Sequence, residues 1–206
     1  MIIFQMKAAV THLRRADPVM AEIIQRVGPC QLAALQPNFE TLARSITFQQ
    51  LHGKAAATIF ARVQKAVGRS FTATAFLKAD PAMLRSCGLS RQKLASLTDL
   101  AEHVVRRKIN FSKLPALDND GVLETLTQVR GIGSWTAQIF LMFALGRPNV
   151  LPAGDFGIRN AVRQAYGLKE MPNAADLEKI ALPWHPYCTV ASWYLWRSLD
   201  GDADLK

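Results

Sequence analysis

The sequence is short of cysteine. Cys30, Cys87 and Cys188 are its only three, far apart along 206 residues. An odd, scattered set does not make a disulfide framework. No Cys or His pair has the spacing of a zinc site, so neither metal nor cofactor is expected to supply the chemistry. Long apolar runs are also missing: none reaches membrane-spanning length without interruption, so no membrane contact is expected. The start, Met1 to Lys7, lacks the charged, apolar, then cleavable order of a signal peptide. An intracellular chain, in a cytoplasm or nucleoid, is the expectation. Acidic residues are scarce, 16 against 25 basic ones, for a net charge of +9. That excess favours a polyanionic partner through counterion release, although a merely soluble basic protein would account for the charge alone. The basic residues are dispersed, with no low-complexity tail, linker or fixed-period repeat.

Strand-type alternation is absent, and helical signals fill the chain. Half of the residues are hydrophobic (50%), enough for a sizeable core in one large domain or two small lobes. Asp17-Pro18 and Asp80-Pro81 each read as a cap followed by a first helical residue, with stops at Gly28 and Gly88. Met6 to Val27 reads as helical, Asn38 caps a helix running to about Gln50, and Gly53 to Val67 carries an apolar helical stripe. Ser90 to Arg107 reads as a long amphipathic helix. Asp118 to Val129, Ser134 to Leu145, Asp155 to Tyr166, Asn173 to Ala181 and Pro186 to Asp200 complete the set. The fold expected is all-α, with about ten helices.

The sharpest motif is Val129-Arg130-Gly131-Ile132-Gly133-Ser134-Trp135-Thr136-Ala137. Two glycines between helical patterns permit a tight turn and a close backbone approach. A turn that opens a helix directs N–H groups outward, which suits a phosphate. Asp155 follows in Leu151-Pro152-Ala153-Gly154-Asp155-Phe156-Gly157, at the mouth of a helix whose dipole suits a negative charge. A phosphate-gripping hairpin followed by a lone carboxylate points to chemistry on a nucleic acid.

Hairpin and acid together resemble the helix-hairpin-helix DNA glycosylase superfamily, and most closely its alkylbase (3-methyladenine) branch, over roughly Asn38 to Leu199. The resemblance implies two helical lobes with a DNA-binding cleft, within a single glycosylase domain over 1–206 with its hairpin at about 123–145. Some relatives carry an extra β-rich N-terminal domain, and the segment before Asn38 is too short for one. Others carry a four-cysteine iron–sulfur cluster, which three cysteines cannot hold. The expected activity is monofunctional excision of alkylated purines, 3-methyladenine and 7-methylguanine, from double-stranded DNA by a cofactor-free monomer. Alternatives are a glycosylase for another lesion, such as hypoxanthine or 1-methyladenine, and a non-catalytic DNA-binding protein.

Such an enzyme must extrude the nucleotide, hold it and fill the gap. A cationic alkylpurine leaves readily, so one carboxylate can serve where ordinary glycosidases use two. Asp155 is that carboxylate, stabilising the developing sugar cation or orienting water; the plain alternative is a helix cap. Trp135 stands where lyase-type relatives have a Schiff-base lysine, so no amine is available there, and its indole can stack on a base. Tyr187 and Phe48 are further candidate pocket walls, while Trp193 and Trp196 read as a packed helical face. Ser45 to Ala56 resembles the intercalating loop of the family. It implies Gln50 as the wedge with Leu51 beside it, His52 toward the minor groove, and Lys54 on a phosphate. Arg130, Gly131, Ile132 and Gly133 are expected to grip phosphates, and the carbonyls of Gln128, Val129 and Ile132 to hold a structural ion. Ser90 would hold the opposite strand, with Leu89 as a second wedge; a simple helix cap is equally in keeping with that loop.

Overall fold

The computed structural model describes residues 2–199; Asp200, the expected end of the last helix, lies outside them. Twelve α-helices and no strand occur among the described residues. They are α1 (Ile2–Ala16), α2 (Pro18–Val27), α3 (Phe39–Phe48), α4 (Gly53–Val67), α5 (Ala73–Lys78), α6 (Pro81–Ser86), α7 (Arg91–Val105), α8 (Asn119–Thr127), α9 (Ser134–Phe143), α10 (Phe156–Ala165), α11 (Ala174–Ile180) and α12 (Cys188–Leu199). Short 3-10 turns lie at Leu114–Ala116 and Leu182–Trp184. The all-α expectation holds. The sequence pattern missed α5, a six-residue helix started by the Thr72 side chain accepting from the Ala75 N–H. A helix that short carries too few residues for a visible stripe. No described helix is long and apolar enough to cross a membrane.

Side-chain caps set most of the helix starts. Asp17, Asn38, Asp80, Ser90, Asp118, Asp155 and Asn173 each accept a backbone N–H of the following turn, supplying partners that a helix start cannot find within itself.

The chain divides into two compact units. The second is continuous, Leu35–Phe140, and its boundary falls inside α9. Its core gathers Leu42, Ile46, Val63, Leu97 and Leu100, with an aromatic group of Phe39, Phe60, Phe71 and Phe76 whose rings meet by stacking and edge contacts. α7 packs against α3 and α5, which makes it the spine of this unit.

The first unit combines Met1–Ala34 with Leu141–Lys206. Its core includes Leu13, Met20, Ile158, Val162, Trp184, Tyr194 and Leu195. One buried acid organises it. Asp17 Oδ1 accepts the N–H groups of Val19 (2.9 Å) and Met20 (3.2 Å). Its Oδ2 accepts the Trp184 indole N–H at 2.8 Å and the Tyr166 hydroxyl. A buried carboxylate is tolerable because its charge is met by four donors. Burial, reinforced by Asp17, pushes the Tyr166 hydroxyl far above the ordinary phenol range, so it stays a donor. Asp17→Ala removes a cap and orphans two buried donors. We expect it to lower stability by about 3 kcal/mol or more, read as a lowered urea midpoint at unchanged slope.

Candidate functional site

In the second unit, α8 closes on a hairpin that α9 reopens. The Val129 N–H donates to Leu126 O (3.1 Å) and the Ile132 N–H to Val129 O (3.0 Å), forming two successive tight turns. Gly131 sits at φ +80°, in left-handed space. A Cβ there would stand 2.5 Å from Ser96 Oγ. Gly131 is therefore required twice over, by its dihedral and by the close approach of α7. Three residues along α7, Asp99 accepts the Arg130 N–H at 2.7 Å.

These contacts narrow the expected phosphate grip. The N–H groups of Arg130 and Ile132 are consumed within the unit. Among the described residues, those of Gly131 and Gly133 have no partner, and these two remain for an anion. Both glycines belong to the motif, but only the folded chain shows that the alternate residues are spent.

The loop after α3 is tied to this hairpin. Gln49 Nε2 donates to Gly131 O (2.9 Å) and Thr136 Oγ1 (3.2 Å). Lys93 Nζ, from α7, donates to Thr47 O and Gln49 O, each at 2.7 Å. Gln50 then takes φ +55°, and Gln50, Leu51, His52 and Lys54 are all exposed. His52 is the N-cap position of α4 yet makes no side-chain cap bond. Leu89, by contrast, is 2% exposed, so it packs into the unit and is not offered as a second wedge. Ser90 Oγ accepts the Lys93 N–H (3.1 Å), which is the cap.

Beside this loop lies a hollow of about 460 Å³ lined by Arg44, Phe48, Gln49, Gln50, Trp135 and Thr136, among others. Phe48 and Trp135, from α3 and α9, thus line one concavity. Trp135 is 45% exposed, unusual for an indole. Arg44 Cζ rests 4.0 Å from the Phe48 ring centroid, a cation–π contact. Sequence reading passed over Arg44, although its i, i+4 spacing to Phe48 puts both on one helix face.

In the first unit, Asp155 caps α10: Oδ1 accepts the Ile158 N–H at 2.8 Å. The same oxygen accepts the Trp196 indole N–H at 2.9 Å, and Trp196 stacks on Phe143 with centroids 6.1 Å apart. Gly157 gives this contact its room, since a Cβ there would lie 3.1 Å from Asp155 Oδ1 and 3.2 Å from Trp196 Cδ1. The reading of Trp196 as plain packing is corrected. Its spacing to Trp193 signals a helical face, and nothing local reveals that the face ends at a carboxylate. Tyr187 does not join this group in the contacts observed: it packs edge-on against His12, centroids 5.3 Å apart, on the core of the unit. Its role as a pocket wall finds no support there.

Other nucleophiles are quenched. Burial pushes the thiol of Cys30 up to about 11 and that of Cys188 up to about 12, so neither is a thiolate at neutral pH. No group of three or more His, Cys, Asp or Glu suited to a metal occurs among the described residues. The hairpin carbonyls of Gln128, Val129 and Ile132 are neutral oxygen donors of the kind a hard cation takes. Val129 O already accepts one N–H and retains its second lone pair.

The two hairpin glycines give a paired prediction. Gly131→Ala is expected to cost roughly 1–3 kcal/mol through backbone strain alone, and more from the clash with Ser96. Gly133→Ala, where a Cβ meets nothing within 4 Å, should leave the unfolding midpoint nearly unchanged. Equal losses from both would contradict the packing described.

Known proteins share this fold. Residues 43–186 match the family model described as HhH-GPD superfamily base excision DNA repair protein. DNA-3-methyladenine glycosylase 1 of Schizosaccharomyces pombe is 33% identical, with 96% of this chain and 89% of that protein covered. The structure of a 3-methyladenine DNA glycosylase from the same yeast, in complex with abasic DNA, superposes with a TM-score of 0.81 at 34% identity, covering 92% of this chain and 95% of that one. A DNA-3-methyladenine glycosidase from Bacillus halodurans gives 0.84 at 34% identity, covering 95% and 90%. A hairpin turned on Gly131, an acid at the mouth of the next helix and a match over most of its length make this chain a member of the HhH-GPD superfamily of base excision DNA repair proteins.

Proposed function

We propose that the protein is a monofunctional DNA glycosylase that removes alkylated purines, 3-methyladenine and 7-methylguanine among them, from double-stranded DNA. The observation that carries the reading is Asp155, an aspartate at a helix mouth whose Oδ1 is held by the Ile158 N–H and the Trp196 indole. The relatives named as 3-methyladenine glycosylases support the substrate.

The glycosidic C–N bond breaks with its electron pair leaving on the base, and a water oxygen bonds to the sugar carbon as its proton is lost. Asp155 stabilises the sugar cation and orients that water. A fixed carboxylate does this without reorganising, and the two donors on Oδ1 fix its rotamer. Trp135 stacks on the extruded base. A cationic base gains a cation–π contribution from it. Arg44 covers a face of Phe48, which leaves the half-exposed Trp135 as the larger platform. Gln50 fills the vacated stack with Leu51 next to it, and His52 lies toward the minor groove. The free N–H groups of Gly131 and Gly133, with Lys54 and the Ser90 helix start, take phosphates. A hard cation on the Gln128, Val129 and Ile132 carbonyls would add positive charge next to that grip. One chain supplies every group, so a monomer suffices.

Lyase chemistry lacks its amine at the hairpin helix, where Trp135 stands in place of a Schiff-base lysine, and Lys93, also in this unit, is engaged by two carbonyls. Borohydride added during turnover should trap no covalent protein–DNA adduct; a strong adduct would overturn this part of the reading.

The decisive experiment is base release from methylated DNA, with the freed bases resolved by chromatography. The parent should liberate 3-methyladenine. Asp155→Asn preserves an oxygen for the cap, so it should fold normally yet lose roughly 100-fold or more in rate. Trp196→Phe keeps the ring and deletes the donor, and a drop of about tenfold is expected for one hydrogen bond to a charged group. A parent that binds this DNA but frees no base would sink the proposal.

A further inference from the structure

Lys93 has been given no functional part so far, yet its ammonium holds the chain where α3 passes into the loop that carries the wedge. Its Nζ lies 2.7 Å from both Thr47 O and Gln49 O. Thr47 belongs to the last turn of α3 and Gln49 is its C-cap position, so these carbonyls belong to the set that a helix end leaves without intrahelical partners. Immediately beyond, Gln50 adopts φ +55°, a left-handed conformation that is unfavourable for a residue with a Cβ. Such a conformation persists only where its surroundings impose it. The structure supplies three restraints: the Leu51 N–H closes a tight turn on Phe48 O at 3.3 Å with Gln49 and Gln50 at its centre, the ammonium of Lys93 holds the Gln49 carbonyl, and the hairpin holds the Gln49 side chain.

We propose that Lys93 is a positioning residue that fixes the wedge loop in its inserting conformation before DNA arrives, a role that rests on the glycosylase reading above. Along α7, Lys93 neighbours Ser96 and Ser96 neighbours Asp99, each pair at i, i+3. Ser96 abuts Gly131, and Asp99 holds the Arg130 N–H. One rigid helix therefore sets both the wedge loop and the phosphate-gripping hairpin. Burial lowers the Lys93 pKa, in keeping with an ammonium drawn out of water onto two carbonyls. A preformed wedge removes the ordering cost from the flipping step, so the benefit should appear where flipping is costly and vanish where it is not.

The test is single-turnover release of 7-methylguanine from two synthetic duplexes, one with the lesion paired to cytosine and one with it opposite an abasic site. A third duplex with 2-aminopurine beside the lesion reports unstacking by fluorescence. Lys93→Met should lose about tenfold or more on the paired lesion and stay within about threefold of the parent on the unpaired one. Its 2-aminopurine signal should rise more slowly, and Lys93→Arg should recover most of the loss. Equal losses on both duplexes, or none on either, overturn the proposal. If Lys93→Met does not fold, Lys93→Gln, which keeps a donor but is too short to reach, takes its place with the same expectations. If the parent frees no base from either duplex, the glycosylase reading fails. The fluorescence change on binding still decides Lys93: a slower rise in the variant supports it, and an identical rise overturns it.

Discussion

The second unit turns on the close approach between α7 and the hairpin. Ser96 sits where any side chain at residue 131 would sit, and Asp99 takes a hairpin N–H that would otherwise be lost to water. The helical repeat places Lys93 one turn before Ser96, where it reaches the end of α3. Three residues of ordinary polarity thus hold two loops that have no regular structure of their own. The hairpin also buries Val129 and Ile132, whereas Gln50, Leu51 and His52 of the other loop are exposed. Directional hydrogen bonds from a packed helix hold that second loop, and they preserve geometry without covering the surface that DNA would need.

The first unit solves a different problem, which is to keep a carboxylate oriented while leaving it accessible. Asp155 is anchored through one oxygen by its own helix and by Trp196, whose ring is in turn stacked on Phe143. The chain of support runs from core to carboxylate through aromatic packing, so the acid inherits the rigidity of α12. Asp17 in the same unit shows the contrasting case. Its four donors bury it entirely and give it a structural part. The two aspartates cap helices in the same way, and what separates them is exposure.

Much of this was legible in the residues. Asp-Pro pairs, glycine stops and apolar stripes located most helices, because caps and stripes are local and repeat with the helix. The hairpin was legible for the same reason: Gly131 and Gly133 are adjacent to the residues they serve. What escaped notice depends on contacts distant in sequence. Nothing near Trp196 announces Asp155, nothing near Lys93 announces Thr47 and Gln49, and the loss of the Arg130 N–H requires knowing where Asp99 lies. Leu89 was misassigned because an apolar residue before a helix cap looks alike whether it faces the core or a ligand. The ring contact of Tyr187 was equally illegible, its partner being His12 from the far end of the chain.

The double use proposed for Asp155, as helix cap and as catalytic acid, would have a consequence in the cell. Because an amide can end the helix as well as a carboxylate can, a single-nucleotide change to Asn would escape quality control, which senses unfolding and not chemistry. On the role proposed for that acid, the product would be a stable protein with its hairpin intact, able to settle on a lesion and unable to leave an abasic site behind. Such a molecule would shield the damage it occupies from other repair enzymes.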